Sequence, residues 1–247
     1  SKLAEIDFSQ TGDSPVDICF PNSTSGYVLC TGTNKVHVVD IYSDYQKIKS
    51  IPVGANPVAI NCYLNQVFVA NYLDNNVSVI DTRTNEIERT IGTADRPAFL
   101  EVIPEVSRLA IVCRGKGKDA GSTDAKTDAI VNLYDLQTMT LKKDIPLAKG
   151  SFAASAQNPV SVSSSATGQA FILCGSYIFR LETIAGVRLD LYKKLNSNFI
   201  NYSRWLYRLI ISQQVSKRPM LTFNTSSATE ESSKALPDTA LMAYPVR

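Results

Sequence analysis

The stretch Val77-Ser78-Val79-Ile80-Asp81 recurs in altered form along the chain, with counterparts at residues 36–40 (VHVVD), 131–135 (VNLYD), 178–182 (IFRLE) and 220–224 (MLTFN). The five copies begin 41, 54, 47 and 42 residues apart. A repeat of roughly 40 residues built from short strands is typical of a β-propeller, in which each repeat forms one four-stranded blade. The repeat predicts how the chain is built, but it does not predict what the chain binds.

The segments around each copy supply the other strands of a blade. Apolar runs at residues 26–30 and 67–71 precede two copies, as the first strand of an antiparallel hairpin does. Segments 46–51, 86–91 and 141–145 mix charged and apolar residues, as an outer strand facing water does. Four of the predicted innermost strands open with a proline, where no ladder hydrogen bond is lost: Pro15, Pro57, Pro97 and Pro159.

These patterns predict an all-β chain with about five complete four-stranded antiparallel blades in a single domain, residues 1–247. Residues 3–8 read as an additional outer strand that belongs to a preceding blade. Apolar residues make up 44% of the chain and charged residues 19%, which is typical of a folded globular protein. No apolar run approaches the roughly 18 residues of a membrane helix, so we expect no membrane span.

The net charge of +2, from 25 basic and 23 acidic residues, gives no field that favours nucleic acid as the partner. We therefore expect a protein partner and no nucleic acid.

One stretch of blade 2 resembles a known family. Residues 68–82 (FVANYLDNNVSVIDT), followed by Thr90-Ile91-Gly92, resemble the YVTN-type propeller repeat of surface-layer-like and periplasmic proteins. The resemblance covers residues 14–95 and weakens toward the C-terminus. It implies an extracytoplasmic location, in the periplasm or at the cell surface, and a role as a binding or surface module. It carries no catalytic residue.

The number of blades leaves three alternatives open. Propellers that resemble this chain usually close with seven blades, which at about 40 residues each requires more chain than 247 residues. The chain is a fragment, or it closes with fewer blades, or another chain supplies the missing arc. An open arc exposes strand edges that favour pairing with a partner, which gives the third alternative a physical basis.

The five cysteines are interpreted as packing residues. Cys30, Cys113 and Cys174 end equivalent strands, where the other repeats place Ala70 and Ser212, so one small residue per blade is expected there. Cys19 and Cys62 differ by one residue in their offset from the preceding proline, which turns them to opposite faces and predicts that they do not pair. An odd number without a C-x-x-C pair argues against a disulfide framework, a zinc site or an attached haem.

His37 is the only histidine, which excludes a metal site built on several imidazoles and favours a structural role between blades. The acids that end the third strand of successive repeats are interpreted as turn-capping groups rather than as a site: Asp40, Asp81, Asp135 and Glu182. We therefore expect no catalytic residue, no metal ligand and no cofactor.

The repeat is interrupted at residues 114–128, where blade 2 has only a short turn. Insertions of this kind often lie on the binding face of a propeller, so Arg114, Lys116 and Lys118 are candidate partner-binding residues. A mobile polar loop is the alternative. The order of a phosphate-binding loop is absent, and the acids of the segment do not have EF-hand spacing.

A second candidate contact patch lies in the last repeat, where Arg204, Trp205 and Tyr207 cluster around the only tryptophan. Aromatic and arginine residues are enriched at protein interfaces, although packing in the core is an equal alternative for Trp205. Residues 225–238 form a polar connector that we expect to be flexible.

The sequence thus favours a non-catalytic binding or scaffold propeller that mediates protein–protein interaction in a cell envelope or a multi-protein assembly. The alternative is a propeller enzyme, or a protein that binds a small ligand or metal in the central channel. An intracellular WD40-type adaptor is disfavoured because the Gly-His and Trp-Asp signatures are absent.

Overall fold

Four separate antiparallel sheets of four strands each make up the computed structural model, which describes residues 6–8, 12–42, 45–147, 158–175, 177–183 and 186–194. The strands are β1 Pro15–Cys19, β2 Ser25–Cys30, β3 Lys35–Asp40, β4 Lys47–Pro52, β5 Pro57–Tyr63, β6 Gln66–Asn71, β7 Asn76–Asp81, β8 Glu86–Gly92, β9 Pro97–Ile103, β10 Arg108–Cys113, β11 Ile130–Asp135, β12 Leu141–Pro146, β13 Pro159–Ser164, β14 Ala170–Cys174, β15 Tyr177–Glu182 and β16 Arg188–Lys194.

Each sheet is a meander in which consecutive strands pair, so β1–β4, β5–β8, β9–β12 and β13–β16 form blades 1 to 4. The predicted repeats become β3, β7, β11 and β15, and the four prolines open β1, β5, β9 and β13. The prediction of four-stranded blades is therefore confirmed. The fifth repeat lies outside the described residues, as do residues 3–5 of the predicted outer strand at residues 3–8. Residues 6–8 are described and are not in a strand.

The core lies between neighbouring blades. The first strands pack against one another in chain order, β1 on β5, β5 on β9 and β9 on β13. Blade 2 contributes Phe68 and Val79 to the cluster that it shares with blade 3, and Val69 and Ile80 to the cluster that it shares with blade 1. Complete burial of an apolar side chain contributes about 1.5–3 kcal/mol, so these interfaces hold the blades together.

Blade 1 has one face without a described blade against it. Ile6 and Phe8 pack on this face against Val28, Cys30 and Val39, which form a small apolar cluster. Elsewhere on the inner strand of blade 1 apolar side chains remain about half exposed: Val16, Ile18 and the neighbouring Phe20.

One end of the propeller is built from a repeated hydrogen-bond motif. The turn between the second and third strands of blade 1 ends at Asn34, and its side-chain oxygen accepts from the backbone N–H of Asn56, 2.9 Å away. Asn75 accepts from the N–H of Arg96 in the same way, at 2.9 Å. Asn34 and Asn75 have φ of 54° and 53°, a left-handed conformation that asparagine tolerates well. Each turn therefore fixes the start of the next blade.

The acids that end the third strands cap the following turns, as the sequence predicts. Asp81 accepts from the N–H of Arg83 at 2.8 Å, and Asp135 accepts from the N–H groups of Gln137 and Thr138 at 3.0 Å. Hydrogen bonds from Arg83 and from the Thr138 N–H hold the pKa of these two carboxyls below the ordinary range. Because these acids recur as turn caps from blade to blade, they belong to the fold rather than to a functional site.

Two predictions about the cysteines are wrong. The residue equivalent to Cys30, Cys113 and Cys174 in blade 2 is Asn71, because each of the four pairs with the proline that opens its blade. The position thus holds either a thiol or an amide, and a small side chain is not required.

The second correction concerns Cys19 and Cys62. The two thiols lie on opposite faces of their respective sheets. Adjacent blades pack the front of one sheet on the back of the next, so these two faces meet between blades 1 and 2. Both belong to the cluster between blades 1 and 2. The thiol of Cys62 accepts a hydrogen bond from that of Cys19, which lowers the pKa of Cys62 and raises that of Cys19.

In the part of the chain that the structure describes, no helical segment has the length and apolar character needed to cross a bilayer.

Candidate functional site

The insertion at residues 114–128 lies at the end of the propeller where the chain crosses between blades. It joins β10 to β11, and Ala129 takes the place of Asn34 and Asn75 as the last residue of the turn. The backbone oxygen of Ala129 accepts from Leu147 N at 2.9 Å, as that of Asn34 accepts from Val53 N at 3.0 Å. The insertion therefore leaves the ladder of blade 3 unchanged and projects from it.

Two backbone N–H groups at the start of the inserted loop are hydrogen-bonded. Gly115 N donates to Asp95 O at 2.9 Å, and Lys116 N donates to Oγ1 of Thr127 at 2.8 Å. Gly115 has φ of 77°, and a Cβ there would meet the backbone oxygen of Thr127 at 2.3 Å. Only glycine fits this position, because both the conformation and the close approach exclude a side chain.

A second set of contacts ties the loop to blade 2. The hydroxyl of Tyr72 donates to Oδ1 of Asp119 at 2.7 Å, and burial together with this hydrogen bond raises the pKa of Tyr72 to about 12. Arg96 lies over the ring of Tyr72, 5.3 Å from its centroid, and donates to Oδ2 of Asp124 at 2.9 Å. The loop is thus folded onto blade 2 through Tyr72 and onto the start of its own blade through Arg96.

The three predicted cations of the loop take different positions. Arg114 donates to the side-chain oxygen of Asn158, at the start of blade 4, at 3.1 Å. Lys116 pairs with Asp95 at 3.1 Å. Lys118 donates to the backbone oxygen of Arg114, and burial lowers its pKa. The structure brings Arg114 and Lys118 together and directs Lys116 to the opposite flank of the loop.

A concave pocket of about 270 Å³ lies between the loop and blades 2 and 3. Its wall combines apolar and aromatic groups with one cation and one carboxylate: Asn56, Val58, Tyr72, Ala98, Phe99, Arg114 and Asp119. Among the described residues, Nε of Arg96 and Nε of Arg114 are buried without a hydrogen-bond partner. Of these two residues, Arg114 lines the pocket, and its Nε is a donor that the chain itself leaves unused.

Most residues around the loop and the pocket were not predicted, among them Tyr72, Arg96 and Phe99. Tyr72 and Arg96 lie in segments that look like ordinary turns of the repeat, and Phe99 looks like a strand residue of the core. Only the departure of Arg96 from the asparagine at the equivalent position 56 marks it in the sequence. The aspartates considered for calcium are engaged differently, since Asp119 accepts from Tyr72 and Asp124 from Arg96.

The other predicted contact residues, Arg204, Trp205 and Tyr207, lie outside the described residues, as does the connector at residues 225–238.

Comparison with solved structures places the chain among the β-propellers. A streptogramin B lyase superposes with a TM-score of 0.59 at 15% identity, covering 80% of this chain and 60% of the other. A catalytically inactive virginiamycin B lyase from Staphylococcus aureus, solved with quinupristin, gives 0.58 at 15% identity, with coverages of 81% and 62%. A functionally unknown protein from Desulfotomaculum acetoxidans DSM 771 gives 0.54 at 17% identity, with coverages of 74% and 58%.

At such low identity the likeness concerns the fold alone. The chain spans about three fifths of the length of these propellers. No protein-family model matches the sequence, and no curated protein matches it.

Proposed function

We propose that this chain is a non-catalytic binding propeller, and that the inserted loop at residues 114–128 and the pocket beside it contact a partner protein. The observation that carries the proposal is the way the loop is folded. It departs from the repeat, it is hydrogen-bonded to Tyr72 of blade 2 and to Arg96 at the start of blade 3, and it forms one wall of a concave pocket.

The composition of the pocket favours binding over chemistry. A pocket with aromatic and apolar walls and a few convergent polar groups is the usual form of a recognition site. Its lining contains a tyrosine, a phenylalanine and an arginine, the residue types enriched at interface hot spots. The two lining residues that could take part in acid–base chemistry, Tyr72 and Asp119, are hydrogen-bonded to each other at 2.7 Å.

The partner segment is expected to combine an apolar side chain with a carboxylate. Tyr72, Phe99 and Val58 offer an apolar surface, while Nε of Arg114 is a buried donor without a partner. A carboxylate is the acceptor that satisfies a guanidinium most strongly, and an apolar neighbour would cover the aromatic wall. A short segment with an acidic residue next to an aliphatic or aromatic one has this chemistry.

The family and location complete the proposal. The likeness of residues 68–82 to the YVTN-type repeat supports assignment to that group of propellers, and with it a location in the periplasm or at the cell surface. In this setting the chain acts as a component of a cell-envelope assembly, and the loop end of the propeller holds a second component.

The experiment is selection of displayed random peptides on the immobilised full chain, followed by measurement of the Kd of the selected peptide. Arg114→Ala is expected to weaken binding at least about tenfold, because a charge-assisted hydrogen bond contributes about 1.5–3 kcal/mol. Arg83→Ala is the matched control, since Arg83 lies in the turn between β7 and β8 at the other end of the propeller. Binding that is equally sensitive to both substitutions would contradict the proposal.

A further inference from the structure

A cluster of three buried side chains in blade 1 brings together a carboxylate, a thiol and an imidazole. Asp13, Cys30 and His37 are 1%, 0% and 5% exposed, and their ligand atoms all lie within 4.8 Å of one another. Asp13 lies just before β1, Cys30 ends β2, and His37 lies in the middle of β3. No other group of three such donors occurs among the described residues.

Comparison with blades 2 and 3 shows what is unusual about this cluster. In each blade the last residue of the second strand faces the third residue of the third strand. In blade 2 this pair closes on itself, because Asn71 donates to Oγ of Ser78 at 2.8 Å. In blade 3 the thiol of Cys113 donates to Oδ1 of Asn132 at 3.3 Å.

In blade 1 the same two positions hold Cys30 and His37, and the side chain of Asp13, from the segment before β1, lies beside them. The backbone oxygen of Asp13 accepts from Gly32 N at 2.9 Å, as that of Ala55 accepts from Leu73 N in blade 2. The positions are thus equivalent. In blade 3 the same position holds Asp95, whose backbone oxygen accepts from Gly115 N at 2.9 Å, so His37 is the ligand type that only blade 1 adds. Two positions that hold a hydrogen-bonded polar pair in blades 2 and 3 thus contribute, together with Asp13, three metal-ligand types in blade 1.

The geometry of His37 leaves one ring nitrogen aimed at the carboxylate. Nδ1 lies 2.8 Å from Oγ of Ser50, which fixes the ring. Nε2 lies 3.0 Å from Oδ2 of Asp13 but without the alignment of a hydrogen bond. A carboxylate oxygen and a ring nitrogen so placed are both satisfied when a cation lies between them.

The surroundings have the form of an outer ligand shell. Oγ1 of Thr33 donates to Oδ1 of Asp13 at 2.7 Å, which leaves Oδ2 toward His37 and Cys30. Metal-binding histidines and carboxylates are usually held in this way by a second hydrogen bond on the atom that does not face the metal. Ser50 and Thr33 each supply such a bond.

The site already attracts positive charge. Nζ of Lys47 lies 3.5 Å from Oδ2 of Asp13 and 4.3 Å from the centre of the Phe8 ring, and the Lys47 side chain is 26% exposed. An ammonium at the mouth of the cluster can move to solvent when another cation takes its place. Lys47 and Phe8 therefore mark the way into the site.

We propose that Asp13, Cys30 and His37 bind a zinc ion, with one oxygen, one sulfur and one nitrogen as ligands and a fourth position on the side of Lys47. Mixed carboxylate, thiolate and imidazole ligands in a three-residue set match Zn²⁺ rather than Mg²⁺ or Ca²⁺, which prefer oxygen. The ion ties the segment before β1 to β2 and β3, so its role is to fix blade 1. The sequence excludes a site with several imidazoles, and this set needs only one.

Ser50, His37 and Asp13 have the residue types of a hydrolase triad, but their contacts differ from those of a triad. In a triad the serine contacts Nε2 and the carboxylate contacts Nδ1. Here Ser50 contacts Nδ1 and Asp13 contacts Nε2. The pocket beside the inserted loop is not lined by Ser50.

The test is titration of the full chain with Co²⁺ followed by visible and near-ultraviolet absorption, and then displacement by Zn²⁺. We expect one Co²⁺ per chain, with the d–d bands of a four-coordinate ion and thiolate-to-metal charge transfer. Cys30→Ser should abolish the charge transfer, while Cys113→Ser, at the equivalent position of blade 3, should leave it intact. Absence of binding, or charge transfer that survives Cys30→Ser, would overturn the proposal.

Two further variants keep the test decisive if Cys30→Ser does not fold. Thr33→Val leaves all three ligands in place and should weaken Co²⁺ binding about 10- to 100-fold, as loss of an outer-shell bond does. Lys47→Gln removes the competing cation and should strengthen binding. Affinity that neither variant changes would place the metal elsewhere and overturn the assignment.

Discussion

The hairpin formed by β2 and β3 in blade 1 turns within residues 31–34, whereas its counterpart in blade 3, formed by β10 and β11, uses residues 114–129. In both hairpins the first strand ends at a buried cysteine, Cys30 or Cys113. This strand pairs in the same register with the innermost strand of its blade. They depart from the repeat in different places. Blade 1 changes the chemistry of a buried pair beneath a short turn, and blade 3 keeps a closed pair and adds a folded loop above it.

The difference indicates that the repeat tolerates change at two depths. A surface insertion changes what the propeller can contact, because it adds residues where no ladder depends on them. A buried substitution changes what the propeller can hold inside, because it replaces partners that satisfied one another. The packing between the sheets is the same in both blades. Substitutions in this shared core therefore come first among the tests.

The largest effect is expected in the shared scaffold. Leu29 in blade 1 and Leu133 in blade 3 are both fully buried between sheets. Leu29→Ala and Leu133→Ala should each lower the free energy of unfolding by about 2–5 kcal/mol, through lost burial and the cavity left behind. Urea denaturation of the two variants checks this. A loss near zero in one blade only would show that the two hairpins do not rest on one cooperative core.

A smaller loss is expected at the closed pair of blade 3. Asn132 accepts from Ala94 N at 2.8 Å and from the Cys113 thiol, and it donates to Asp144 at 2.6 Å. Asn132→Ala leaves these buried groups without a partner and should cost about 1–3 kcal/mol in urea denaturation. Ser78→Ala, at the equivalent position of blade 2, removes fewer partners and is the matched control. Equal losses at the two positions would contradict this account of the pair.

The contact between the loop and blade 2 should have a still smaller and more local effect. Tyr72→Phe removes the hydrogen bond to Asp119, worth about 0.5–1.5 kcal/mol, and should increase tryptic cleavage after Lys118 and Lys126 about 2- to 12-fold, through more frequent opening of the loop. Tyr134→Phe is the control, because the Tyr134 hydroxyl donates to Gly92 O, away from the loop. Cleavage that rises equally in both variants would mean that Tyr72 does not hold the loop.

The same contact predicts a pH dependence. The pKa of Tyr72 is about 12 in the folded chain, above the ordinary value near 10. The neutral phenol is therefore favoured by folding, and its contribution is complete below pH 10 and lost as the pH rises toward 12. Loop cleavage by a protease active at high pH should rise over this window, and the rise should be absent in Tyr72→Phe. A rise that persists in the variant would assign the transition to another group.

The smallest effect concerns one thiol between blades 1 and 2. Cys62 is partly exposed and its pKa is lowered by the hydrogen bond from Cys19, while the other cysteines are buried. Alkylation followed by mass spectrometry should modify Cys62 first at neutral pH, because the thiolate is the reactive form. Cys19→Ala should slow this reaction by raising the pKa of Cys62. Modification of Cys113 before Cys62 would contradict the assigned contacts.

The sequence predicts the blades well because the repeat is local. A valine-rich third strand, an acid that caps its turn and a proline that opens the next blade can each be read from a few adjacent residues. The prolines at 57 and 97 open strands as predicted, and Asp135 caps its turn.

The sites are harder to predict because they are made across blades. Tyr72 meets Asp119 over 47 residues of chain, and Cys19 meets Cys62 only because facing sheets present opposite faces. The contact of His37 with Asp13 depends on the segment before β1 passing over the hairpin, and no periodicity in the sequence records that path. Residues 114 and 118 could be predicted as candidate contact residues because the insertion interrupts a regular pattern.

The central claim is that the inserted loop makes this propeller a binding protein. The most direct measurement compares the full chain with a variant in which residues 114–128 are replaced by the turn of blade 2, residues 72–75 followed by the native Ala129. Calorimetry with the peptide selected on the full chain gives the Kd for both. We expect the variant to keep its thermal unfolding transition and to lose binding at least about 100-fold. Binding that survives the replacement of the loop would contradict the account.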